Sequence, residues 1–383
     1  MSNPQEAALQ YQKAFNGTKY RSEDVDSLVK QMMPLASQVE KDFARGVAIY
    51  GAGFVGTWAV SYLQSIGAKI NHLIDRDIQK IGTTVHGIPV VLPSDPVVSS
   101  APSIFIAARH AVKNVQSAMA NSNYRLISFD GYYVVKNYKK LSFVRDNFFN
   151  DEKSIETYNA IMVAMLTGSV ESCLAVMEKD MYFALPEFSG TFDEIFVDAG
   201  AFVGDTLERF IWENLGTFRH LYAFEPGRKQ FLALEQRISR LLSEWAIGKD
   251  RVTAVRAGLA AENGRRAFSF LYDSPLRHGL TIENSEITQN DSESIEVYSL
   301  DSFLNGKAVT FIKADVEGME MDLLRGAQTT ISRYRPKMAV CVYHYPSDLI
   351  EVAEFVRSLV PEYKFSIRQH APIFGDFVLY CYC

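Results

Sequence analysis

Twice in this chain an apolar strand runs into a glycine turn and then into a helix. The first instance is VAIYGAGFVGTWAV over residues 47–60, and the second is IFVDAGAFVGDTLERF over 195–210. A strand that ends in such a turn buries both faces only if a crossover returns the chain to a parallel neighbour. Two such units therefore commit the chain to an α/β fold with mostly parallel sheets. With 383 residues there is enough chain for two cores.

The text around each motif agrees. After the first come AKINHLID, IPVVL, SIFIAAR and YRLISF, short apolar runs separated by helical stretches, and the pattern fades near Tyr138. Around the second come EIFVDAG, HLYAFEP, RVTAVRAG, VTFIKAD and KMAVCVYH, then KFSIRQH and FVLYCYC, which lie too close for a helical crossover and predict an antiparallel hairpin at the sheet edge. Four segments follow. Residues 1–45 are helical, 46–137 form a smaller Rossmann-like α/β domain, 138–190 are a helical connector covering one side of the last part, and 191–383 form the second α/β domain. Within the first segment, Val25, Leu28, Val29, Met32, Leu35, Ala36, Val39 and Phe43 recur at helical spacing behind Ser22 as cap, and Pro34 is expected to kink that helix. In the connector, Ser154 is the expected cap of a helix.

Composition excludes several classes. A net charge of −6 offers no electrostatic footprint for nucleic acid. MSNPQEAALQYQKAFNG is too polar for a signal-peptide centre and no apolar run reaches spanning length, so a cytoplasmic location and no membrane span are expected. Cys173, Cys341, Cys381 and Cys383 are too scattered for a disulfide framework.

In the second motif, Asp198 ends a strand, Gly200 and Gly204 flank the turn with Ala201 and Phe202 inside it, and Asp205 and Thr206 open a helix. Small residues let a ligand approach the backbone, and the helix N-terminus offers free N–H groups. Glu225, followed by Pro226, ends the next strand 21 residues beyond Gly204, where an acid accepts hydrogen bonds from ribose hydroxyls. An Asp at the strand end repels a pyrophosphate but favours the ammonium and sulfonium of S-adenosylmethionine. Five crossover strands and a terminal hairpin resemble the topology of the class I methyltransferase fold.

VDAGAFVGDT, YAFEP, SLDSFL, FIKADVEGMEMDLLRGAQ and VCVYHYPSDL resemble, in order, the motifs of the FkbM family of methyltransferases; DEKSIETYNAIMVAMLTG resembles the lead-in helix of bacterial members. The resemblance covers residues 140–383 and departs at Phe202, where many relatives carry Asn. It implies S-adenosylmethionine as cofactor and methyl transfer to a hydroxyl, often on a sugar. The alternative from another class is a non-catalytic sensor that binds adenosylmethionine or a nucleotide.

The fourth strand of this domain carries Lys313 and Asp315 on one face, with Glu317 just beyond. Two charges in an apolar central strand need partners, and the expectation is that they pair with each other, either to orient the strand or to line the ligand crevice at the carboxyl ends of the strands. His344 ends the fifth strand between Tyr343 and Tyr345, which are placed to flank a sugar ring; it is the expected general base, with Glu317 as the alternative and Asp315 as an orienting group. His278, in the polar segment SPLRHGLTIENSEITQND, is a weaker candidate on an expected acceptor-binding loop. Asp301 and Asp348 add carboxylates, but no tight ligand spacing predicts a metal, and methyl transfer requires none.

The first motif is the better dinucleotide fingerprint: Gly51, Gly53 and Gly56 match G-x-G-x-x-G, and Asp75 ends the next strand 22 residues after Gly53. No hydride-transfer dyad follows it. The module resembles the small Rossmann-like N-terminal domains of bacterial sugar acyltransferases. Three readings stand open: a site for a nucleotide or nucleotide-linked sugar, a scaffold for packing or self-association, and an NAD-dependent oxidoreductase.

Overall fold

The computed structural model describes residues 20–120, 123–269 and 292–383. The chain divides into two compact units: one comprises residues 1–147, 151–177 and 371–375, the other 148–150, 178–370 and 376–383. No helix among the described residues is long and apolar enough to cross a membrane.

The first unit opens with α1 (Ser22–Glu40), whose buried stripe Val25, Leu28, Val29, Met32, Leu35, Ala36 and Val39 keeps the expected spacing. The helix runs unbroken through Pro34, which lies on its exposed face. Ser22 is the first helical residue rather than the cap. Arg21 precedes it, and its backbone N–H is held by Asp24 at 3.0 Å.

Next come β1 (Val47–Tyr50), α2 (Phe54–Ser65), β2 (Ile70–Ile74), β3 (Thr84–Val85), β4 (Ile88–Val91), β5 (Ser103–Ile106), α3 (Val112–Ala118) and β6 (Arg125–Ser128). Their sheet has the order β3-β4-β2-β1-β5-β6, parallel except for the β3–β4 edge pair. β1 lies where the strand order reverses, with β2 on one side and β5 on the other. Three helices follow: α4 (Phe129–Phe148), α5 (Glu152–Thr167) and α6 (Glu171–Ala175). The latter two belong to this unit. Ser172 Oγ of α6 donates to Ala160 O of α5, and Ser128 Oγ donates to Met165 O. Asp151 caps α5, accepting from the N–H of Ser154, which lies inside the helix.

The second unit contains β7 (Ile195–Ala199), α7 (Asp205–Glu213), β8 (His220–Phe224), α8 (Arg228–Glu244), β9 (Val252–Val255), β10 (Gly258–Leu259), β11 (Gly264–Ser269), β12 (Ser292–Tyr298), α9 (Leu300–Leu304), β13 (Phe311–Ala314), α10 (Glu320–Arg325), α11 (Gln328–Tyr334), β14 (Lys337–Cys341), α12 (Asp348–Leu359), β15 (Lys364–Gln369) and β16 (Phe377–Tyr382). Seven strands form the main sheet in the order β15-β16-β14-β13-β7-β8-β9, with β16 antiparallel to both neighbours, as the closely spaced final runs predicted. A small β10-β12-β11 sheet, which periodicity did not announce, stands apart. Phe196 of β7 packs at 4.4 Å between ring centroids on Phe210 of α7 and at 4.7 Å on Phe311 of β13, so the central strands and the helix after the glycine turn share one core.

Packing sorts the glycines of the first turn by role. Gly51 has φ +108°, and a Cβ on Gly56 would stand 1.8 Å from Gly51 O, whereas a Cβ on Gly53 would meet nothing within 4 Å. Gly56→Ala is therefore expected to cost about 1–3 kcal/mol in urea unfolding, and Gly53→Ser, a good helix cap, about nothing. Equal midpoints for the two variants would show that the close helix–turn approach is not a constraint.

Candidate active site

β14, β13, β7 and β8 are neighbours and mutually parallel, so their carboxyl ends lie along one edge of the sheet. That edge carries His344, Asp315, Asp198 and Glu225, the four strand-end groups expected from the sequence. β7, like β1, sits at the point where the strand order reverses, the place where open α/β sheets bind ligands.

The turn after β7 is built tightly. Gly200 has φ +77°, and a Cβ there would lie 1.8 Å from Asp315 O. The N–H groups of Gly200 and Ala201 both donate to Phe224 O, and Ala201 is buried. Phe202 takes a left-handed φ of 47°, and Gly204, at φ +82°, precedes α7, which Asp205 and the buried Thr206 open. Glu225 closes the turn from the next strand: its Oε2 accepts from Phe202 N–H at 2.9 Å and its Oε1 from Gly227 N–H at 2.7 Å, across Pro226.

Lys313 does not pair with Asp315. Sheet register sets Lys313 opposite Asp198, and its Nζ stands 3.0 Å from Asp198 Oδ1 in a fully buried pair. The same ammonium donates to Gly200 O at 2.6 Å and Ala199 O at 3.3 Å. Burial pushes Asp198 up to about 6 against the pull of Lys313, and Asp198 Oδ2 is buried with no hydrogen-bond partner among the described residues. Burial likewise raises Glu225 to about 7, although two backbone N–H groups oppose it.

Asp315, one residue past β13, takes its partners from residues the sequence reading did not single out for it. Tyr182 Oη donates to Oδ2 at 2.8 Å and Tyr343 Oη to Oδ1 at 3.0 Å. Burial opposes ionisation, but Lys313, His344 and the two phenols hold this carboxyl below its usual range. His344 is buried among acids: Nδ1 is 3.1 Å from Glu320 Oε1, and Nε2 is 3.4 Å from Glu317 Oε2 and 3.8 Å from Asp315 Oδ1. Burial disfavours a charged ring, yet Glu320, Glu317 and Asp315 raise its pKa well above the ordinary value. Glu317 is half-exposed and holds a left-handed φ of 54°, a conformation that costs a non-glycine residue and persists only where surroundings impose it.

Asp301 accepts from the N–H groups of Thr329 and Thr330, Asp348 accepts from Tyr345 N–H, and His278 lies outside the described residues. Tyr343 turns its hydroxyl to Asp315. Glu320 and Tyr182 are additions. Glu320 lies three residues after Glu317 in VEGME, a legible signal, whereas nothing near Tyr182 announced it.

In the first unit, Asp75 sits as Glu225 does, accepting from Ala52 N–H at 2.8 Å and Asp77 N–H at 2.9 Å. One difference separates them: Lys80 Nζ stands 3.0 Å from Asp75 Oδ2.

A seven-stranded sheet with its antiparallel strand second from one edge, and acids at the ends of its central strands, defines a class I methyltransferase fold. Residues 198–367, within the second unit, match the model of the methyltransferase FkbM domain. The crystal structure of a methyltransferase FkbM from Methylobacillus flagellatus KT shares the fold, with a TM-score of 0.55 at 20% identity over 99% of both chains. An rRNA methylase from Streptococcus thermophilus aligns over 56% of this chain and 92% of its own at 15% identity and a TM-score of 0.31. A UDP-D-quinovosamine 4-dehydrogenase from Vibrio fischeri aligns over 22% and 76% at 22% identity and a TM-score of 0.20. No curated protein matches the chain.

The raised carboxyl of Glu225 sets a pH dependence. An acid with a higher pKa folded than unfolded stabilises the fold fully below its unfolded value near 4.5, and that contribution is lost as pH rises through about 7. Asp198 acts in the same direction up to about 6. Between about pH 4.5 and pH 7 the ligand-free protein is expected to lose stability, with Glu225 contributing about 3 kcal/mol over that range. Glu225→Gln should flatten this slope in urea unfolding; an unchanged slope would mean that Glu225 does not titrate there.

Proposed function

We propose that the second unit transfers a methyl group from S-adenosylmethionine to a hydroxyl of a carbohydrate or a nucleotide-linked sugar. The observation that carries this reading is the alignment of Asp198, Glu225, Asp315 and His344 along the carboxyl edge of a methyltransferase sheet. The residues fit that donor. Glu225 is a buried acid where a ribose binds, and Asp198 keeps a buried oxygen without a donor. Asp198, Gly200, Ala201, Phe202, Gly204, Asp205, Thr206, Glu225 and Pro226 would hold it, and when bound it supplies an electrophilic methyl on a sulfonium.

The remaining groups prepare the acceptor. Tyr182 and Tyr343 fix both oxygens of Asp315, which suits it to orienting a hydroxyl or holding charge. The acids around His344 favour its charged form, which makes Glu317, the open carboxylate of the group, the better proton acceptor.

A second reading concerns the first unit: it holds the nucleotide part of the acceptor. Gly53 favours this, because its open position suits the approach of a phosphate to the backbone. Lys80 weighs against a free ribose-binding acid at Asp75. Gly53→Val is expected to keep the fold and lose nucleotide affinity by calorimetry; retained affinity leaves Gly51, Gly53, Gly56 and Asp75 as scaffold.

The main reading is tested by mass-shift transfer from labelled adenosylmethionine to nucleotide sugars and oligosaccharides. Glu225→Ala should weaken donor binding roughly tenfold to a hundredfold, the equivalent of about 1.5 to 3 kcal/mol. Glu317→Gln should cut turnover about 10² to 10⁴-fold with donor affinity kept. Donor binding without any transfer across a broad screen would make the protein a sensor instead.

A further inference from the structure

Asp315, Glu320 and His344 come from three places: the tip of β13, the first turn of α10 and the segment after β14. Each presents one ligand-type atom within 4.8 Å of the other two. His344 stands 3.1 Å from Glu320 Oε1 through Nδ1 and 3.8 Å from Asp315 Oδ1 through Nε2, so the three side chains adjoin, and one of the two ring nitrogens would be the ligand.

Glu320 provides an independent observation. It is 1% exposed, and its Oε1 accepts from Val316 N–H at 3.0 Å. Its Oε2 is buried and meets no hydrogen-bond donor among the described residues. A buried carboxylate oxygen in that position carries a desolvation penalty that a cation removes. Charge adds to this. Asp315, Glu317 and Glu320 surround one imidazole, so the group is negative, and a cation that takes a ring nitrogen displaces the proton there.

We propose that Asp315, Glu320 and His344 hold a divalent cation of the magnesium–manganese class, with Glu317 on its open side. Carboxylate oxygens in the majority select a hard ion, and one imidazole admits manganese. The sequence predicted no metal because the three ligands are scattered over residues 315 to 344 and only the fold gathers them.

This inference rests on the reading of methyl transfer to a hydroxyl and adds a means of activating the acceptor. An acceptor oxygen bound to the cation becomes more acidic. Its O–H bond breaks toward Glu317, the oxygen forms the new bond to the methyl carbon, and the carbon–sulfur bond breaks to leave neutral S-adenosylhomocysteine.

The test is binding of Mn²⁺ to the full chain, freed of metal by a chelator and dialysis, followed by electron paramagnetic resonance of the unbound ion. The expected result is one saturable site per chain, weakened at least about tenfold in Glu320→Gln and in Asp315→Asn. Mn²⁺ should raise the thermal midpoint of the wild type and not of variants whose circular dichroism shows them folded. Anomalous scattering from a Mn²⁺-soaked crystal should place the ion among the three side chains. Absence of saturable binding, or binding untouched in both variants, overturns the proposal. Methyl transfer at full rate in excess chelator overturns the cation and keeps the methyltransferase reading. Mn²⁺ bound as described with no acceptor methylated keeps the cation and removes that reading.

Discussion

A lysine in the middle of a parallel sheet is costly unless its charge is met, and the second unit meets it with the pair Lys313–Asp198. The pair does more than neutralise. The same ammonium binds Gly200 O and Ala199 O, so it ties the turn after β7 to the strand beside it. Asp315 N–H donates to Ala199 O, and Gly200 packs on Asp315 O with no room for a side chain. The turn proposed to bind the donor and the carboxylates proposed to handle the acceptor are thus joined through this pair. Replacing both charges by apolar residues would keep the core and remove the link.

The two glycine turns answer the same geometric problem with different electrostatics. In each, an acid from the next strand takes an N–H of the turn and one of its own following segment. Asp75 is then neutralised by Lys80, and hydrogen bonds with that lysine hold its carboxyl low despite burial. Glu225 has no such partner, and burial raises it. A carboxyl left this way gains from any ligand that donates to it, which is the physical basis for assigning the working cofactor to the second turn although the first matches the dinucleotide pattern better.

The fold was legible because its signals are local. Apolar runs, glycine turns and the close spacing of the last two runs determine strand number, crossovers and the terminal hairpin. The site was legible only as far as strand ends go. That Lys313 faces Asp198 follows from register between strands over 100 residues apart in sequence, and alternation along one strand pointed to Asp315 instead. The clamp of Tyr182 and the orphaned oxygen of Glu320 are products of tertiary packing.

The central claim is that the Lys313–Asp198 pair holds the turn in its ligand-ready form. Calorimetric titration of S-adenosylhomocysteine into the wild type and into the double variant Lys313→Met, Asp198→Leu tests it directly, because no charge is left buried alone. Affinity in the folded double variant is expected to fall at least about tenfold, the equivalent of roughly 1.4 kcal/mol. Unchanged affinity in that variant would contradict the account.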